Sequence, residues 1–211
     1  VPARYEAEAH TRGISLHLLL SEKAAAFRAG QSGLLALDWW NGCRTPLVDA
    51  DLSGLIVGYN LHTRPEEVYR ALIEATAFGT RLIVELFREG GVAIDAFRAG
   101  GGLTKNDLVM QIYADVLGLP IEIAASPQAS GLGAAILGAV AGGVYADIHS
   151  AVQHMVDPPV KKVIPDSGNH AIYNDVYVEY KRLVALFGRS VGSVMKNVLQ
   201  IRNRHLSSSL D

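Results

Sequence analysis

The stretch from Arg64 to Gly91, RPEEVYRALIEATAFGTRLIVELFREGG, constrains the fold more than any other part of the chain. Val68, Leu72, Ala75, Gly79, Leu82 and Leu86 recur at three- and four-residue spacing and so share one face of a helix. Thr63 is placed to cap that helix, Pro65 suits its first turn, and Glu66 and Glu67 sit at the positive end of its dipole. The pattern predicts a helix from Pro65 to Arg88, stopped by Gly90 and Gly91. A long helix with one apolar stripe must bury that stripe against another layer, and short apolar runs flank it on both sides.

Upstream, Ile14 to Phe27 has helical periodicity, and Leu34 to Trp40 (LLALDWW) and Leu55 to Tyr59 read as strands separated by a turn at Gly42 and Pro46. Downstream, the spacing predicts a strand over Ala93 to Ala99, a glycine turn, a helix from Asp107 to Leu117, a strand from Ile121 to Ala125 and a helix from Gly131 to Val140. Strands alternating with helices predict an α/β layer structure with parallel strand pairs. From Ser150 the chain reads as helical, broken at Pro158-Pro159, and Tyr173, Tyr177 and Tyr180 form a stripe expected to pack across the domain.

Composition narrows the function classes. A net charge of -2 with scattered Lys and Arg supplies no basic field for nucleic acid. The most apolar run, Gly131 to Tyr145, is shorter than the roughly 20 residues a membrane helix needs. With a single cysteine, Cys43, no internal disulfide can form, and the expected compartment is the cytoplasm. The opening VPARYEAEAH reads as text entered in mid-sentence, and RNRHLSSSLD as a polar tail, so the chain is expected to be part of a longer protein.

The candidate chemistry centres on FRAGGGLTKND, Phe97 to Asp107. Glycines at a strand end let a ligand approach the backbone, and a following helix offers free N–H groups. The run is neither a Walker A loop nor a dinucleotide fingerprint, and a purely structural turn explains it as well as a phosphate cradle does. Arg44 and Asp49 are expected to form an ion pair bracing their loop. One of Trp39 and Trp40 should face the core and the other the opposite side. Cys43 is expected to be a packed thiol, and the seven histidines have no metal-binding spacing. Gln128 and Ser130 are placed either to touch a ribose or base or, for Ser130, to cap the next helix. Glu74, Glu85 and Asp115 are expected to be solvated or bracing.

GGLTKNDLVMQIYADVLGLPIEI, followed by SPQASGLGAAILGAVAGG, resembles the adenosine-binding part of the FGGY carbohydrate kinases. NGCRTPLVD is similar to their Gly-Glu-Arg-x-Pro-x-x-Asp element, with Cys43 where many members have Glu, and Gly58, Glu67, Val68, Ala71, Ile73 and Glu74 match a second signature. GLLALDWWNGCR is more specific, resembling the branch that acts on L-ribulose. The resemblance runs from Tyr5 to about Lys196. It implies an actin-like, ribonuclease H-like ATPase domain, α/β with a mixed sheet flanked by helices and lacking its N-terminal edge. Residues 1–30 would lead in from an absent lobe, 31–188 form the ATP-binding domain, and 189–211 a C-terminal helix and tail.

It further implies that Gly101 and Gly102 lie against the phosphate and ribose of ATP and Asn106 beside adenine. No catalytic residue and no metal ligand is expected in this chain. The base Asp lies upstream, the sugar L-ribulose binds through the absent lobe, Mg accompanies ATP in the full enzyme, and a homodimer is compatible. The chain alone is expected to be inactive.

Overall fold

The computed structural model describes residues 1–188 and 194–207. In chain order the elements are α1 (Ala3–Thr11), α2 (Leu16–Ala25), β1 (Leu35–Leu37), β2 (Leu55–Val57), α3 (Pro65–Glu89), β3 (Phe97–Ala99), a 3-10 turn (Gly102–Lys105), α4 (Asp107–Leu117), β4 (Ile121–Ile123), α5 (Ala129–Ala141), α6 (Ile148–Met155), β5 (Lys161–Val163), α7 (Ser167–Gly188) and α8 (Val194–Ser207). α3 is the spine on which α2, α4 and β1 pack, but of its expected stripe only Ala75 is buried; the buried face runs instead through Glu66, Arg70, Ala71, Glu74, Ala77 and Phe78, because the polar groups on that side find partners in α7 and α2. Its N-cap is Arg64, not Thr63. The Glu67 carboxylate turns back to accept from the Arg64 N–H at 2.7 Å, whereas the Thr63 hydroxyl accepts from the Asn60 N–H at 3.0 Å within the preceding turn.

Among the described residues the strands form two small sheets and only one parallel strand pair, which corrects the expectation of parallel pairs. β1 and β2 are antiparallel, with Leu35 opposite Val57. β3 and β4 are parallel, with Phe97 opposite Ile121, and β4 and β5 are antiparallel, with Ile121 opposite Val163. The connections decide this. A parallel pair needs a crossover, and α4 supplies one between β3 and β4, but no helix lies between β1 and β2. β5 was not legible, because Lys161 and Lys162 break any alternation, and lysines suit an edge strand. The three-stranded sheet is nevertheless mixed, as expected.

The tyrosine stripe of α7 is the centre of the core. Tyr173, Tyr177 and Tyr180 are at most 2% exposed, and Phe78 of α3 lies among them with ring centroids 5.4 to 5.9 Å away. Three phenol groups in an apolar core need partners, and each donates to a carboxylate: Tyr173 to Glu74 at 2.8 Å, Tyr177 to Glu85 at 2.9 Å, Tyr180 to Asp38 at 3.3 Å. Arg70 joins the first pair. Its guanidinium meets Glu74 at 2.7 Å, Tyr173 at 2.9 Å and the Ala24 carbonyl at 3.1 Å, tying α2, α3 and α7 together. Burial pushes the Glu74 carboxyl up, opposed by Arg70 and Tyr173.

α8 reaches this core through Met195 and is tied to the β1–β2 loop by Lys196 and Asp49 at 2.5 Å. Of the expected C-terminal segment, residues 189–193 and 208–211 lie outside the described residues.

Candidate functional site

The three glycines after β3 serve three different ends. Gly100 brings the turn close to α5, since a Cβ on it would come within 2.9 Å of the Ala129 methyl. Gly101 has φ 92° and ψ -170°, a conformation essentially confined to glycine. Gly102 is under neither constraint. Its φ is not positive, and a Cβ built on it meets nothing within 4 Å. The fold therefore does not require glycine at 102. Its bare backbone faces open space in a hollow of about 780 Å³ between the 3-10 turn and α2, walled also by Ser15, His17, Ser21, Tyr69, Lys105 and Asn106.

Asn106 is half-buried and caps α4. Its Oδ1 accepts from the Val109 N–H at 3.3 Å and its Nδ2 donates to Ser21 Oγ at 2.7 Å, which in turn lies 3.1 Å from the Tyr69 hydroxyl. Of the expected residues, Gly102 and Asn106 thus meet in one hollow, with Gly101 adjacent but outside its lining. Ser21, His17 and Tyr69 were not foreseen. A serine inside an apolar helix carries no local signal, and its partner Asn106 is 85 positions away.

The charges around the hollow leave a positive excess. Glu22 is taken by Arg12 at 2.7 Å and Asp107 by Lys161 at 2.6 Å, while Lys105 forms no ion pair among the described residues. Together with the N-terminus of α4, this suits an anionic ligand. Gln128 and Ser130 do not line the hollow. Nor does Ser130 cap α5, which begins at Ala129 with Gln128 as its N-cap, and the Gln128 N–H is held by Ser126 Oγ at 3.2 Å.

The expected Arg44–Asp49 pair does not form. Asp49 is held by Lys196, which keeps its carboxyl below the usual carboxylate range, and the loop is braced instead by paired backbone bonds between Cys43 and Asp49 at 2.8 and 2.9 Å. A chain reversal of this kind is closed by main-chain groups that are always present, leaving Arg44 to line a second hollow of about 300 Å³ with Asp38, Thr76 and Tyr180. Cys43 is the packed thiol expected. It is buried, it donates to the Thr45 carbonyl at 3.5 Å, and burial pushes its pKa up. Trp39 is buried, and Trp40 is mostly exposed with its ring against Gly54, where any Cβ would collide.

Glu74, Glu85 and Asp115 all brace the fold. Asp115, 2% exposed, accepts from Gln111, the Asp166 N–H and Asn169 at 2.7 to 3.0 Å. Among the described residues no group of three His, Cys, Asp or Glu side chains could hold a metal ion, and no helix is long and apolar enough to cross a membrane.

Known proteins place this geometry. The chain is 53% identical over 205 residues to a ribulokinase of Geobacillus thermodenitrificans, covering 94% of this chain and 36% of that one. It is 49% identical over 214 residues to a ribulokinase of Bacillus licheniformis, covering 99% and 39%. The chain thus spans under two fifths of the length of these curated relatives. Among solved structures, a xylulose kinase from Rhodospirillum rubrum aligns with TM-score 0.69 at 30% identity, covering 81% of this chain and 34% of that one. A ligand-bound xylulose kinase from Lactobacillus acidophilus shares the fold with TM-score 0.73 at 24% identity, covering 89% and 38%. The α/β architecture is accordingly that of the actin-like ATPase domain of these kinases. Residues 4–142 match the C-terminal domain of the FGGY family of carbohydrate kinases, and the chain belongs to that family.

Proposed function

We propose that this chain is the nucleotide-binding lobe of a longer ATP-dependent kinase that phosphorylates L-ribulose at its terminal hydroxyl, a step of L-arabinose catabolism. The observation that carries the reading is Gly102, a residue whose lack of a side chain serves no purpose in the fold and opens onto the hollow capped by Asn106. The ATP adenosine would lie there, with its ribose and phosphates along Gly101 and Gly102. Lys105 and the N-terminus of α4 favour their charge.

Identities of 49 and 53% to ribulokinases, against 30% to the xylulose kinase of Rhodospirillum rubrum, favour L-ribulose as the sugar. The family implies magnesium with the ATP phosphates, but the acids around this hollow do not fit a magnesium site, since Glu22 and Asp107 each hold a cation of the protein. The family resemblance implies that the base that deprotonates the sugar belongs to the other lobe, and Glu74, Glu85 and Asp115 of this chain are committed to bracing bonds. Closure of the two lobes would exclude water from the transfer.

Calorimetric titration with ADP tests the reading. The chain should bind ADP without phosphorylating L-ribulose, and Gly102→Val and Asn106→Ala should each weaken binding about tenfold or more. Wild-type binding that neither change weakens sinks the site; L-ribulose phosphorylation by the chain alone sinks the division of labour.

A further inference from the structure

Ser21 is only 6% exposed, yet it is polar, and its hydroxyl touches side chains from two other elements, Asn106 and Tyr69. The direction of these bonds can be worked out. The Val109 N–H is an obligate donor, so the Asn106 atom facing it is the carbonyl oxygen and the atom facing Ser21 is the amide nitrogen. Ser21 Oγ therefore accepts from Asn106 and has one proton to give. The Tyr69 oxygen, 3.1 Å away, is the acceptor within reach of that proton, and we assign the bond in that direction. This leaves two protons over, one on the Tyr69 hydroxyl and the second on the Asn106 amide. Both residues line the hollow beside Gly102.

We infer that Ser21 is a positioning residue for nucleotide binding, orienting Asn106 so that one amide N–H is offered to a purine nucleoside beside the phenol O–H of Tyr69. Two directed donors select acceptor atoms, which are the ring nitrogens of the base and the oxygens of the ribose. Ser21 borders the hollow, but with its hydroxyl spent on Asn106 and Tyr69 its effect on the ligand passes through Asn106. The inference rests on the nucleotide reading above and adds Ser21 and Tyr69 to it. It also separates the two tasks of Asn106, because helix capping uses the carbonyl oxygen and ligand binding the amide.

ADP and inorganic pyrophosphate are titrated into the 211-residue chain and its variants, with a thermal melt of each. Ser21→Ala should weaken ADP about tenfold, and Ser21→Thr, which keeps the hydroxyl, should bind within about twofold of wild type. Asn106→Asp keeps the cap but has no proton to give, so it should lose ADP affinity as Asn106→Ala does while melting like wild type. Because Ser21 acts through Asn106, the Ser21→Ala, Asn106→Ala double variant should bind ADP within about twofold of Asn106→Ala. Pyrophosphate, which has no nucleoside, should bind wild type and Ser21→Ala alike.

An additive double variant, or a Ser21→Ala chain that binds ADP normally, or one that loses pyrophosphate as much as ADP, overturns the role of Ser21 and leaves the site standing. Failure of the wild type to bind ADP, or no effect of Asn106→Ala, overturns the nucleotide reading and this inference with it.

Discussion

Helix α3 separates two regions that treat polar groups in opposite ways. On the α7 side the phenols of Tyr173, Tyr177 and Tyr180 are each spent on a carboxylate, and Arg70 divides its donors among Glu74, Tyr173 and Ala24. On the α2 side the chain of bonds from Asn106 through Ser21 ends at Tyr69 with protons to spare, beside a glycine that the fold does not need. Burial explains the first pattern, because an unpaired polar group in an apolar core costs about 1–3 kcal/mol. Water can satisfy the second until a ligand displaces it. Polar satisfaction thus distinguishes the part of this molecule built for stability from the part we propose is used for recognition.

The largest test of that contrast is Glu74→Ala. It leaves the Arg70 charge in the core without its carboxylate, and should cost about 3–5 kcal/mol in urea denaturation. A loss below about 1 kcal/mol would mean that the α7 side does not depend on its pairing. Next come the adjacent glycines. Gly101→Ala should cost about 1–3 kcal/mol of stability because of its backbone conformation. Gly102→Ala should change stability by less than about 0.5 kcal/mol while weakening ADP binding. Equal stability losses at 101 and 102 would erase the distinction between fold and site within the turn.

The smallest effect is at the exposed Lys196–Asp49 pair, read by hydrogen exchange of the α8 amides. Asp49 is lowered chiefly by its bond to Lys196, so its share of the stabilisation is present above its unfolded pKa and lost as pH falls through the still lower folded value. Lys196 is raised chiefly by the same bond, so its share is lost as pH rises through its raised value. Lys196→Ala should therefore lower α8 protection near neutral pH and abolish its loss in acid; an unchanged acid limb would show that the pair does not hold α8. Half-buried Asp38 and buried Glu74 have the opposite sign. Burial raises both, so each carries a penalty at neutral pH that protonation relieves.

Much of the fold was legible because its signals are local. The spans of α3 and α4, the buried tyrosines and the split between Trp39 and Trp40 all follow from signals within one element, whereas the apolar stripe of α3 did not show which of its faces is buried. Where a competing local group lay within a few residues, the reading failed: Glu67 outcompeted Thr63 at the α3 cap, and the Cys43 and Asp49 main chains closed a loop assigned to Arg44. The strand at Lys161–Val163 failed for a different reason, since an edge strand with one buried residue has no pattern to read.

The sequence by itself determined the family, the glycine turn and the choice of Gly102 and Asn106 as residues to test, because motif and spacing are properties of contiguous chain. Only the tertiary structure decided which glycine is spare and what holds Asn106. It also decided where Tyr180 and Tyr173 find their carboxylates, 142 and 99 positions away. Those answers depend on side chains that meet only after α2, α3, α4 and α7 have packed, and no local pattern encodes a contact between distant segments.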